Sequence, residues 1–409
     1  MTDKQSGGNG NQKLWGYSES FTFSFGLIIA GFFIEYFTTE KTIIPEWPVN
    51  LFVIIGYIVF TIVLYFFVKG NTVKWLVSIP SAIASVSAMT LIVLFMGFIP
   101  QEDVPEQFST EIGLTHITRS WPYLLVALYL LTVLTFSIYK RLTKPVTLKK
   151  VAYLLNHGGL WIVIVSASLG TADLKRLNMY LEEGGTQQVA VDAAKNQYRV
   201  PFDITLHDFV MDEYPPKIAI YSNITGELLK TKKDLNPVSI EENLGTNIGK
   251  WEIEVLEYYP DAIPTENGYK ASEQRGAAPA ALISATNAEK NISRKEWITC
   301  GSAWMQSLRL PLSRAFTLVM LTSSPKRYAS EITILTPDGE EKNLTLEVNK
   351  PFGYNSWKIY QSGYDSRLGK YSELSILELV YDPWLKVVYT GIFMLFFGSL
   401  YLMLFGKKK

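Results

Sequence analysis

Apolar residues gather in six long runs, near 21–37, 51–68, 75–98, 121–139, 151–170 and 384–405. Each approaches the roughly 20 helical residues needed to cross a hydrocarbon core. The pattern therefore predicts six transmembrane helices, the first the least regular because Glu35 sits near its end. That carboxylate is expected at the membrane interface, where it costs little. The first run does not read as a cleaved leader, since its basic flank is thin and no A-x-A-like site follows it. Between 171 and 383 the pattern changes to period two. Leu344, Leu346 and Val348 alternate with Asn343, Thr345 and Glu347; Trp251, Ile253 and Val255 alternate with Glu252 and Glu254; Ile332 and Ile334 alternate with Glu331 and Thr333. Such alternation predicts half-buried antiparallel strands, punctuated by turns at Pro337-Asp338-Gly339 and Pro215-Pro216.

The expected architecture is an α-helical integral membrane protein with a large β-rich, β-sandwich-like domain inserted between the fifth and sixth helices. Its expected parts are a tail at 1–20, a five-helix region at 21–170, the β-rich domain at 171–383, and a final helix with a basic tail at 384–409. Within the domain, 261–295 is polar and alanine-rich with a weak pattern, and reads as a long loop or insertion. Residues 6–11 form a Gly/Asn-rich start with a composition typical of disorder.

Charge adds orientation. Lys140, Arg141, Lys144, Lys149 and Lys150 crowd one short loop without an acid, which marks it as cytoplasmic. Alternation puts the basic 69–74 loop on the same side. It leaves outside the 99–120 loop, where Glu102, Asp103, Glu106 and Glu111 face one Arg119. Lys407, Lys408 and Lys409 end the last helix inside. Both termini are then cytoplasmic, and the β-rich domain lies outside the cytoplasmic membrane.

Composition narrows the classes further. The chain is 48% hydrophobic and only 19% charged, with 38 basic residues against 38 acidic. A zero balance argues against nucleic acid as a partner. The single cysteine, Cys300, excludes an internal disulfide framework and a multi-thiolate zinc site, and reads as a buried small residue. There is no glycine-rich phosphate loop, GxSxG or HExxH motif. A self-sufficient enzyme is poorly supported.

Three histidines remain. His157, in Asn156-His157-Gly158-Gly159, falls inside the fifth helix, roughly 10 Å from its basic edge at about 1.5 Å per residue. An intramembrane histidine is costly unless paired, and neutral imidazole is a standard axial ligand for haem iron. The two glycines allow close approach of a helix or a flat ligand. The alternative is a histidine bonded to a nearby backbone carbonyl, with the glycines serving helix packing. His116, at the outer mouth of the fourth helix beside Arg119 and Trp121, either ligands a metal or meets a carboxylate, or belongs to an interfacial cluster. His207 reads as a sheet-surface residue hydrogen-bonded to a polar neighbour.

Several stretches resemble one family. Leu155-Asn156-His157-Gly158-Gly159-Leu160-Trp161, Glu347-Val348-Asn349-Lys350-Pro351, Trp357-Lys358-Ile359-Tyr360-Gln361-Ser362 and Gly363-Tyr364-Asp365 are similar to segments of ResB-type (CcsB) proteins of system II cytochrome c biogenesis. So is Asp382-Pro383-Trp384, leading to Val388-Tyr389-Thr390-Gly391, and more loosely Val200-Pro201-Phe202-Asp203-Ile204. The resemblance spans roughly 151–405 and is poor across 261–312. Typical members have three helices before the domain, whereas this chain has five, so it resembles a divergent branch. The resemblance implies a membrane subunit that holds or passes haem b for attachment to apocytochrome c. A separate tryptophan-rich CcsA-like partner is implied too, the subunit being part of a holocytochrome c synthase (haem lyase) complex rather than an enzyme alone. His157 fits the family's cytoplasmic-side haem ligand by depth; His116 has the external position of a delivery-side ligand without a motif match. Lys149 and Lys150, about two turns from His157, either attract haem carboxylates or serve topology. Two rivals stay open: a scaffold in the same complex that does not ligate haem, and a membrane-anchored β-domain receptor unrelated to haem.

Overall fold

The computed structural model describes residues 14–38, 44–68, 70–101, 108–229 and 236–405. The Gly/Asn-rich start, the acids Glu102, Asp103 and Glu106, and the basic tail 407–409 lie outside them. The chain separates into two compact units, one of residues 1–174 and 381–409, the other of 175–380.

Six helices of the first unit are long and apolar enough to span a membrane: α1 (Tyr17–Phe37), α2 (Val49–Phe67), α4 (Ile79–Phe98), α6 (Trp121–Leu142), α7 (Leu148–Gly170) and α8 (Leu385–Phe405). Two short helices, α3 (Asn71–Leu76) and α5 (Phe108–Glu111), lie between them. The third apolar run is thus broken. Ser78 caps α4 by accepting from the Ser81 N–H, and Pro80 stands in the first turn, where its missing donor costs nothing. Helix α6 is the hub, packing on α1, α2, α4 and α7.

Lipid tails are as apolar as leucine, so close fit rather than hydrophobicity must join these helices. The contacts accordingly use small residues. A Cβ on Gly31 of α1 would collide with the backbone of Pro122 in α6. Ala84, Ala88, Ser81 and Ser85 bury one face of α4. Where α7 crosses α8, a Cβ on Gly159 would lie 2.5 Å from the Leu395 nitrogen and 2.6 Å from the Gly391 carbonyl oxygen.

The second unit is built of antiparallel strands, in chain order β1 (Lys175–Glu182), β2 (Thr186–Val191), β3 (Gln197–Glu213), β4 (Lys217–Ser222), β5 (Val238–Ser239), β6 (Gly245–Ile248), β7 (Trp251–Thr265), β8 (Gly268–Ala271), β9 (Ala278–Asn287), β10 (Ile292–Thr299), β11 (Leu310–Pro311), β12 (Phe316–Leu321), β13 (Pro325–Leu335), β14 (Glu341–Glu347), β15 (Phe352–Tyr354), β16 (Trp357–Tyr364) and β17 (Leu374–Tyr381). Eight form one sheet, in the order β14-β13-β3-β2-β1-β17-β16-β15. It curls until β14 and β16 touch, and encloses its own core around Met179, Leu181, Phe202, Ile204, Leu206, Ile334 and Leu379. A second core lies between a five-stranded sheet, β10-β9-β7-β6 with β8 on β7, and a four-stranded one, β11-β12-β4-β5. Ile253, Ile283 and Ile298 from the first meet Ile218 and Leu318 from the second. The expected sandwich is therefore present, beside a nearly closed sheet.

Residues 261–295 are not a loop. They contain the end of β7, the β8 hairpin, all of β9 and the start of β10. Strand β9 hides from pattern reading because alanine is depleted in strands and because the strand is buried on both faces. Ala280, Ala281 and Ala285 are fully inaccessible, and their small size lets the neighbouring layers close over them.

Candidate functional site

His157 lies on α7 with its ring stacked on Tyr153 one turn earlier, centroids 3.7 Å apart at 17°. Its Nδ1 is 3.1 Å from the Tyr153 carbonyl oxygen. A carbonyl can only accept, so Nδ1 carries the hydrogen and Nε2 keeps a lone pair. This is the tautomer a metal-ligating imidazole uses when its second nitrogen is held by a backbone carbonyl. His157 lines a cavity of about 410 Å³ between α4, α6 and α7, within the usual range of ligand pockets. Val86, Leu130, Val133 and Leu160 supply apolar walls, and Lys140, Arg141 and Lys144 line the same cavity.

Neither Lys149 nor Lys150 is among the residues that line the cavity. Lys150 is buried and donates from Nζ to the carbonyls of Leu142 at 2.8 Å and Lys144 at 2.6 Å. It caps the end of α6, as a lysine near terminal carbonyls should. The cavity cations stand on α6 and just beyond it, which sequence distance from His157 did not reveal. Arg141 lies over the Tyr153 ring at 5.3 Å, and its Nε is buried without a hydrogen-bond partner among the described residues. Buried polar atoms of folded proteins are nearly always bonded; Ser24 Oγ, Asn50 Oδ1 and Trp121 Nε1 share this state among the described residues, and of the four only Arg141 lines this cavity.

The two glycines after His157 divide their roles. Gly159 is filled by the α8 backbone, whereas a Cβ on Gly158 would meet nothing closer than Met394 Cε at 3.8 Å. Asn156, on the other side of His157, donates to the Ser399 hydroxyl of α8. Helix packing thus accounts for Gly159 and Asn156.

His116 is placed elsewhere, five residues before α6 begins, while the His157 cavity lies along the second half of α6. The structure does not bring the two together. Instead His116 Nε2 lies 3.1 Å from Glu35 Oε1, and the Trp121 N–H donates to Glu35 Oε2 at 2.8 Å. Glu35 is only 7% exposed. The carboxylate sits in the last turn of α1, shielded by protein, and holds the N-terminus of α6, where the helix dipole favours negative charge. Its partner lies 81 residues away in sequence, so no local pattern pointed to it.

A second buried carboxylate among the described residues was missed. Asp173, just past α7, accepts from the Trp47 N–H at 2.8 Å, Asn50 Nδ2 at 2.7 Å and Trp384 Nε1 at 2.6 Å. It ties the start of α2 to the points where the chain leaves and re-enters this unit. His207 donates or accepts at Thr333 Oγ1, 2.6 Å away, on the exposed sheet face, as expected. Cys300 is half-buried against the second core of the β unit, and burial pushes its thiol up to about 11, so it is not poised as a nucleophile.

The segment that includes β12 to β16 and enters β17 has a known counterpart: residues 312–377 match the model of the ResB-like family. The chain carries a ResB-like segment. No curated protein matches the chain. The ResB-like segment contains the Trp357-Lys358-Ile359-Tyr360-Gln361 stretch, whose buried Gln361 accepts from the Ser330 hydroxyl at 2.7 Å and from Ser375 at 3.3 Å. Gln361 also donates to the Gly363 carbonyl at 3.0 Å. It therefore ties β13, β16 and β17 into one fully bonded buried network. The His157 region and Asp382-Pro383-Trp384 lie outside the matched residues, although Asp382 accepts from the Trp384 N–H at 3.1 Å, at the entry to α8, and Gly391 makes the α7 crossing.

Proposed function

We propose that the protein is a haem-handling membrane subunit of system II cytochrome c maturation. The ResB-like segment supports a place in cytochrome c biogenesis, and six apolar helices support a multi-pass membrane protein. One observation carries the haem reading: His157, with Nδ1 held by a carbonyl, lines an apolar cavity that also contains three cations. Haem, the cargo, is flat and apolar with two carboxylates and an iron that takes imidazole. The residues present fit it. His157 Nε2 is the candidate iron ligand, Leu130, Val133 and Leu160 would pack its faces, and the basic end of α6 would face its carboxylates.

On this reading the basic loops orient the chain, with both termini cytoplasmic and the β-rich domain outside the cytoplasmic membrane, where apocytochrome c is met. A tryptophan-rich CcsA-like partner shares the haem, and covalent attachment belongs to the complex rather than to this chain. His116 has Nε2 beside Glu35 Oε1 and Nδ1 3.5 Å from Thr115 Oγ1, so a delivery-side ligand role would require it to give up one of these contacts.

A scaffold reading is favoured by two contacts. The His157–Tyr153 hydrogen bond and the Gly159 crossing equally suit a histidine that only completes its helix. The visible absorption spectrum of the complex with its CcsA-like partner separates the two. A haem signal that weakens in His157→Ala, with the complex intact, is the expected result. An equal signal in both removes the ligand role and leaves the scaffold, and no haem with no partner retained sinks the haem reading.

A further inference from the structure

We infer that Arg141, assisted by Lys140 and Lys144, is a carboxylate clamp that sets which ring ligand the His157 cavity accepts and which way round it sits. This rests on the haem reading above and adds its specificity. Three planes follow one another along the cavity wall. The guanidinium of Arg141 stands 5.3 Å over the Tyr153 ring, and that ring stacks 3.7 Å from the His157 imidazole. Tyr153 therefore fixes the spacing between the cation and the ligating ring.

Among the described residues the guanidinium also has no carboxylate partner, its contact being with the Tyr153 ring. Arg141 Nε is buried with no partner among the described residues, and the neighbouring lysine that might have competed for an anion, Lys150, is committed to two carbonyls. A planar fork of N–H donors matches a carboxylate in two parallel bonds, which a lysine cannot reproduce. Lys140 and Lys144 are exposed and add charge rather than geometry. A ring ligand without carboxylates would leave the Arg141 guanidinium, which lines the cavity, without an anion in the filled site, and a site built to hydrogen-bond a group rejects analogues that lack it. The clamp thus selects a carboxylate-bearing ring and directs its acidic edge toward the basic end of α6.

A lipid phosphate offers similar chemistry, so the test separates the two sources. The probes are iron protoporphyrin IX and its dimethyl ester, titrated into the full-length protein in phosphatidylcholine nanodiscs and followed by absorbance. The diacid is expected to bind the wild type more tightly than the diester. Arg141→Ala should lower diacid affinity by about tenfold and leave diester affinity unchanged. Arg141→Lys, which keeps the charge and guards against a folding defect, should fall between. Equal binding of diacid and diester by the wild type overturns the clamp alone, as does an equal loss of both in Arg141→Ala. Displacement of the diacid by phosphatidylglycerol nanodiscs only where Arg141 is present assigns the arginine to lipid phosphate and also overturns it. Binding of neither probe to the wild type overturns the haem reading together with the clamp.

Discussion

The two membrane histidines, His157 and His116, differ in what surrounds them. His116 meets a carboxylate from another helix, and that carboxylate also holds the first N–H of α6. Among the described residues His157 is bonded only to its own helix, beside a cavity and an arginine whose Nε has no hydrogen-bond partner. Long-range partners use up the polar capacity of the first, whereas the second keeps a lone pair and a cation in reserve. The difference teaches that depth in the membrane does not by itself mark a ligand. On the haem reading, what marks it is polar capacity left over after the fold has been satisfied.

The largest effect should come from breaking the satisfied site. Glu35→Ala strips His116 and the Trp121 N–H of a shared buried acceptor, and should destabilise the helical unit by about 3 kcal/mol. Glu35→Gln keeps an acceptor for the amide and a donor toward His116, and should cost about 1 kcal/mol. Thermal unfolding of the full chain in detergent measures both. If Glu35→Ala unfolds at the wild-type temperature, the pair is not structural and the contrast between the histidines disappears.

Next is the glycine pair. Gly159→Leu must push the α8 backbone away and should cost about 2 kcal/mol. Gly158→Ala meets ordinary contact distances and should cost less than about 0.5 kcal/mol. Equal losses at both, on the same unfolding assay, would mean that the α7–α8 crossing is not where the structure puts it. His157→Ala, by contrast, removes a ring bonded only to its own helix. It should change stability by less than about 1 kcal/mol while altering haem binding, and a loss as large as that of Glu35→Ala would make His157 structural.

How much of this was legible in the sequence depends on the range of the contact. The six spans and the alternating strands at 251–255, 332–334 and 343–348 are local patterns, and they match α1, α2, α4, α6, α7, α8, β7, β13 and β14. The Ser78–Pro80 break was equally local but was passed over, because apolar residues continue across it. Strand β9 was illegible, since alanines buried on both faces give no period. The sites were the least legible. Glu35 finds His116 across 81 residues and Asp173 finds Trp384 across 211. Arg141 shares a cavity with His157 only because α6 and α7 fold back on each other, whereas counting residues from His157 reaches Lys149 and Lys150.

The smallest expected effect lies in the ResB-like segment and checks that the β unit behaves independently of the haem reading. The Lys350 ammonium, with the Arg327 guanidinium, holds the half-buried Glu347 carboxylate down at about 2. A depressed carboxyl contributes stability above the usual glutamate range and loses it as pH falls toward 2. Glu347→Gln should therefore be slightly less stable than wild type at neutral pH, with the gap closing in acid. Near-UV circular dichroism of the full chain across that interval checks it, and a gap that widens in acid would reverse the assignment.

The most direct test of the central contrast is a haemin titration of the purified full-length protein, followed by its Soret band, in wild type, His157→Ala and His116→Gln. The glutamine keeps a donor for Glu35, so it spares the fold. The account predicts the wild-type band shift in His116→Gln and its loss in His157→Ala; a shift retained in His157→Ala but lost in His116→Gln would contradict it.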